Sequence, residues 1–76
     1  MDITDEAKAA IEAAIPGSVA RVRGGGGHFE IEVTSPEFAG KRIVAQQRLV
    51  LSAIAHLMAG GNAPIHAVDT LVCKVP

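Results

Sequence analysis

Residues 21–33 read RVRGGGGHFEIEV. Beyond the glycines the alternation is strict. Phe29, Ile31 and Val33 point one way, and His28, Glu30 and Glu32 point the other. That pattern predicts a half-buried strand over 28–34 with one wet face. Before the glycines, SVARVR (18–23) reads as a first strand. Gly24 to Gly27 then close a hairpin, because glycine takes positive φ without steric cost. The run is unsuited to cradling phosphate. It matches neither GxxxxGK[ST] nor GxGxxG, and it leads into a strand instead of a helix N-terminus.

Upstream, Ile3, Ala7, Ile11 and Ile15 fall four apart and predict an amphipathic helix over 3–15. Asp2 or Thr4 suits its N-cap, and Pro16-Gly17 stops it. Downstream, Ser35-Pro36-Glu37 opens a short helical turn that Gly40 ends. Residues 42–59 form the second helical region, with Ile43, Val50, Ile54, Leu57 and Met58 as its buried face. If this region divides into two helices, the expected break lies near Gln46 to Arg48. GGNAP ends it, and IHAVDTLVCKV (65–75) reads as a third strand. Alternation there is imperfect. Val68 and Val72 share one face, while Leu71 and Cys73 sit on the other beside Asp69, so partial cover on both faces is expected.

The order helix, strand, strand, helical region, strand contains one β-crossover-β passage. Such a passage normally gives a parallel pair with a right-handed connection. The expectation is an α+β fold, with a three-stranded mixed sheet of order 1-2-3. Strand three runs parallel to strand two, and helices back one face. Parallel strands begin at the same edge of a sheet. His28 opens strand two and His66 opens strand three, so two imidazoles distant in sequence emerge at one rim.

Composition narrows the functional classes. With 76 residues the chain holds a single domain, 1–76, and 49% hydrophobic residues suit a globule. A net charge of −1 and the absence of Trp and Tyr argue against an electrostatic or base-stacking nucleic-acid binder. A single Cys precludes an internal disulfide and fits a reducing compartment. The acidic, polar start MDITDEAK is no secretory signal, and no apolar run reaches the ~18 residues of a membrane span. A cytoplasmic protein with no membrane association is expected.

Neutral imidazole is a common transition-metal ligand. For two lone histidines, solvated strand-end positions are the default reading. Two donors are also an incomplete site for zinc, which takes three or four protein ligands. If the pair binds metal, the remaining ligands come from elsewhere, for instance from a partner protein. Cys73 lies ~23 Å from His66 along an extended strand and belongs to packing. His56, in the apolar AIAHLM, is assigned no role. Lys41, Arg42 and Arg48 make a small basic cluster, most simply a solvated face. No Ser or Cys nucleophile lies near a His, and Glu30 and Glu32 lack a pocket, so no enzyme is expected.

Taken together, GGGGHFEIEVTSPEFAGKRIVAQQRLV followed by IHAVD resembles the BolA family over nearly the whole chain. The resemblance rests on three features. His28-Phe29 opens strand two. Val33, Phe38, Gly40 and Lys41 mark the turn, and Ile65-His66-Ala67-Val68 starts strand three. Gln46-Gln47, where many members have Arg-His, resembles a bacterial subgroup. The family implies an αββααβ, class II KH-like fold and a non-enzymatic adaptor in iron–sulfur trafficking, iron homeostasis and stress response.

It also implies a [2Fe–2S] cluster shared with a monothiol glutaredoxin. The glutaredoxin Cys and a glutathione supplied through that partner hold one iron. Carried over, His66 in strand three and His28 in the loop hold the other, and the isolated chain carries no cluster. Some members place a Cys in the loop. Here the run is all glycine, which leaves His28 as the loop ligand. A weak homodimer is a secondary partner. The alternative function is a KH-like nucleic-acid-binding regulator acting through Lys41, Arg42 and Arg48. Against it, Gly40 to Arg48 contains no GxxG clamp.

Overall fold

The computed structural model describes residues 2–76. Its elements are α1 (Ile3–Ala14), β1 (Val19–Gly25), β2 (His28–Thr34), a 3-10 turn (Pro36–Phe38), α2 (Ile43–Ala53), α3 (Ala55–Met58) and β3 (Ala67–Lys74). The sheet has order β1-β2-β3. β1 and β2 are antiparallel, and β2 and β3 are parallel. This is the α+β topology expected from the hairpin and the crossover.

Asp2, not Thr4, caps α1, because Thr4 already lies inside the helix. The Asp2 carboxylate accepts from the Thr4 hydroxyl and the Asp5 N–H, which hold it below the ordinary carboxylate range. Ile15 turns extended ahead of Pro16, as a pre-proline residue should, and Gly17 completes the exit at φ +68°.

β1 is an edge strand, and α1 covers part of its edge. The Ala20 N–H donates to Glu12 Oε2 at 2.9 Å, and Lys8 Nζ donates to both the Ala20 carbonyl and Glu12. The Lys8 ammonium and the Ala20 N–H lower the Glu12 pKa. A depressed carboxylate pKa contributes stability that is complete above the unfolded-state value. That contribution is lost as pH falls through the folded value. We expect Glu12→Gln to leave acid unfolding less steep below pH ~4.5, the ordinary glutamate value. Chemical denaturation between pH 7 and pH 3 checks this.

The core lies between the helices and one face of the sheet. Phe29, Ile31 and Val33 of β2 pack there against Ile11, Val50 and Ile54. The other face carries paired charges, Arg23 with Glu30 at 3.7 Å and Lys74 with Glu32 at 3.1 Å. At the far end of β2 from His28, Ser35 is fully buried. Its Oγ donates to the Pro16 carbonyl at 2.8 Å and accepts from the Glu37 N–H at 3.1 Å. One hydroxyl thus joins the α1–β1 turn to the 3-10 turn. Ser35→Ala leaves both backbone groups short of a partner and is expected to cost about 1–3 kcal/mol in denaturant unfolding.

The second helical region is two helices, but the division falls at Ile54 and not near Gln46 to Arg48. Ile54 leaves helical geometry (φ −112°, ψ 9°) and is fully buried. Gln46 secures the start of α2 instead, its amide donating to the Phe38 and Lys41 carbonyls at 3.0 Å each. Ile43 was expected on the buried face and is 69% exposed. It is the first residue of α2, ahead of the part that reaches the core through Val50.

In β3 the two-faced pattern has a specific origin. Phe29 pairs with Val68, but Glu30 pairs with Thr70, so Asp69 is an extra residue at a β-bulge. The bulge resets the alternation. Val68, Leu71 and Cys73 all pack against the core, and Val72 faces out with Thr70. Val68 and Val72 therefore lie on opposite faces, contrary to their even spacing, and only one face is covered.

Candidate metal-ligand rim

The glycine run is a built hairpin end. Gly25 pairs with His28, leaving Gly26 and Gly27 as a two-residue turn with φ +62° and +86°. Two successive positive φ values match the twist of antiparallel strands, and few residues other than glycine accept both. Gly24 is required for a different reason. A Cβ there would sit 2.3 Å from the His28 carbonyl oxygen and 2.8 Å from Phe29 Cα.

This turn is fastened to the start of β3. The Gly27 carbonyl accepts from the N–H groups of both His66 and Ala67, at 2.8 and 2.9 Å. A Cβ on Gly27 would lie 2.9 Å from His66 Cγ. The His66 ring therefore rests against bare backbone, where any side chain would displace it. His66 lies one residue ahead of β3, and His28 pairs with Ala67, the first residue of that strand. Topology thus places both imidazoles at one rim, and both are exposed.

His28 Nδ1 lies 3.2 Å from Asp69 Oδ1. Asp69 is the bulge residue, and sequence reading gave it no role. The signal that could have found it was the broken alternation in AVDTLVCK, which marks the bulge. Among the described residues, no three His, Cys, Asp or Glu side chains gather as a metal-binding group. The rim presents two exposed imidazoles, of which His28 has its Nδ1 facing Asp69.

The remaining candidates lie apart. Cys73 pairs with Val33 near the opposite end of the strands, and its burial pushes the thiol pKa up, the reverse of a reactive thiolate. His56 is exposed on the short α3. Lys41, Arg42 and Arg48 are all exposed. Lys41 is tied to the Glu37 carbonyl at 2.6 Å, and Arg42 is the N-terminal flanking residue of α2. Arg48 lies six residues further on, within α2.

A family model described as BolA-like protein matches residues 1–74. A bolA homologue from Coxiella burnetii superposes with a TM-score of 0.81 at 32% identity, covering 100% of this chain and 94% of that one. The solution structure of BolA1 from Mus musculus gives 0.77 at 29% identity, covering 100% of this chain and 67% of that one. A bol-like protein from Babesia bovis gives 0.75 at 29% identity, covering 100% and 87%. No curated protein matches the chain.

Proposed function

The chain belongs to the BolA-like protein family, and from that premise we propose that it is a non-enzymatic adaptor in iron–sulfur trafficking or iron homeostasis. In this reading it shares a [2Fe–2S] cluster with a monothiol glutaredoxin. His66 and His28 are its ligands, and the partner brings a cysteine and glutathione. The observation that carries the reading is the shared rim: two exposed imidazoles held at one edge by the Gly27 carbonyl and the β2–β3 register.

The roles divide by attachment. Two backbone hydrogen bonds fix the approach of the chain to His66, and the absent Gly27 side chain leaves room for its ring. His28 opens β2, so its position follows the sheet. When bound, the cluster supplies an iron–sulfur unit whose histidine ligation raises its potential above that of all-thiolate clusters. The chain alone provides too few ligands to retain it. A shared centre of that kind suits transfer or sensing, and no catalytic group is needed.

Anaerobic mixing with a monothiol glutaredoxin, glutathione, iron and sulfide tests the proposal. The expected product is a one-to-one complex carrying one cluster, with a visible circular dichroism spectrum different from that of glutaredoxin alone. Elution of this chain free of iron, beside an unchanged glutaredoxin spectrum, would refute it.

A further inference from the structure

We propose that Asp69 is a positioning residue for His28, holding its imidazole as the Nδ1–H tautomer so that the Nε2 lone pair faces outward as the ligand atom. The inference deepens the proposed function and rests on it for the identity of the ligand. Its structural content concerns this chain alone.

The bulge is what makes the contact. Had β2 and β3 continued in register past Phe29 and Val68, Asp69 would stand opposite Glu30. Two carboxylates directly opposed across a strand pair repel. The register shift removes that opposition and brings Thr70 beside Glu30. It leaves Asp69 unpaired in the ladder, with its carboxylate 3.2 Å from His28 Nδ1, across 41 residues of sequence. Bulges re-aim side chains in this way, and they are enriched beside functional sites.

The chemistry follows from what each atom can do. An ionised carboxylate only accepts, so a hydrogen bond to His28 requires the proton on Nδ1. In the neutral ring the other nitrogen then bears the lone pair. Which imidazole nitrogen binds a metal is set by the hydrogen bond the other one makes. A carboxylate behind a ligand histidine also fixes the ring plane. His66 has no such partner among the described side-chain hydrogen bonds. Its placement comes from the Gly27 backbone instead.

Nitrogen-15 NMR of the apo protein at pH 8, with labelled histidine, reads the tautomers directly. The wild type is expected to hold His28 predominantly as Nδ1–H. His66 and His56 should take the Nε2–H form that a histidine side chain without a hydrogen-bond partner favours in water. Asp69→Ala should return His28 to Nε2–H without lowering the thermal midpoint appreciably, and Asp69→Asn, which keeps an acceptor oxygen, should retain part of the wild-type signature. In the reconstituted complex, Asp69→Ala should shorten the cluster lifetime about 10-fold, the low end of losses from removing such a carboxylate. A wild-type His28 found as Nε2–H, or a tautomer unmoved by Asp69→Ala, overturns the positioning role. An unchanged cluster in His28→Ala overturns the ligand assignment instead, and the apo spectra still decide what Asp69 does.

Discussion

His66→Ala is expected to fold like the wild type and to fail almost completely as a cluster partner. The ring is exposed, and the two hydrogen bonds that anchor this segment run through the backbone N–H groups of residues 66 and 67 to the Gly27 carbonyl. Alanine keeps both. The stability change should stay within about 0.5 kcal/mol, as for surface substitutions generally. Removing a ligand outright should exceed the 10- to 100-fold losses seen for supporting residues, so a cluster lifetime at least ~100-fold shorter is expected. His66→Cys offers a control, since a thiolate can take the same position. It should restore a cluster with an altered spectrum and a lower potential, because thiolate adds negative charge. Loss in both variants with normal folding would point to a steric fault at the partner surface instead.

The second large effect concerns the hairpin, and it separates a built turn from a flexible tether. Alanine at each glycine should give a graded series. Gly24→Ala is the most damaging, because its Cβ would lie 2.3 Å from backbone oxygen at φ +137°, a contact with no flexible atom to move. Loss of several kcal/mol, enough to unfold a small domain with marginal stability, is expected. Gly27→Ala meets the His66 ring and a positive φ together, and Gly26→Ala meets the positive φ alone. About 1–2 kcal/mol is expected for the latter. Gly25 has neither constraint, and Gly25→Ala should be neutral or stabilising by about 0.4–1 kcal/mol through the unfolded chain. Equal, small effects at all four positions would show that the run is only a loose linker. Gly27→Ala additionally predicts a weakened cluster in a protein that still folds, because it displaces the ring of His66, the proposed ligand.

Much of the framework was legible because it follows from local rules. HFEIEVT has an unbroken period of two, and the glycines before it leave a hairpin as the natural solution. The crossover rule then made β3 parallel to β2, and that step alone brought residues 28 and 66 to one edge. What sequence could not supply was the outcome of competition between local pattern and packing. Evenly spaced Val68 and Val72 would share a face in a regular strand. Extruding Asp69 let Val68, Leu71 and Cys73 all reach the core instead. The break at Ile54, itself fully buried, left no mark in the apolar pattern of residues 42–59. Ile43 looked apolar and periodic, but no described element covers it, and it is 69% exposed. The Asp69–His28 contact was out of reach because it depends on the bulge.

The most direct test of the account labels the histidines of this chain alone with nitrogen-15. The labelled protein is reconstituted with unlabelled glutaredoxin and glutathione, the cluster is reduced, and pulsed electron paramagnetic resonance is recorded. Two nitrogen-15 couplings of directly bound strength are expected in the wild type, and His66→Cys, which keeps a cluster, should leave only the His28 coupling. A reduced wild-type cluster with no bound nitrogen from this chain, or with only one, would contradict the two-histidine rim.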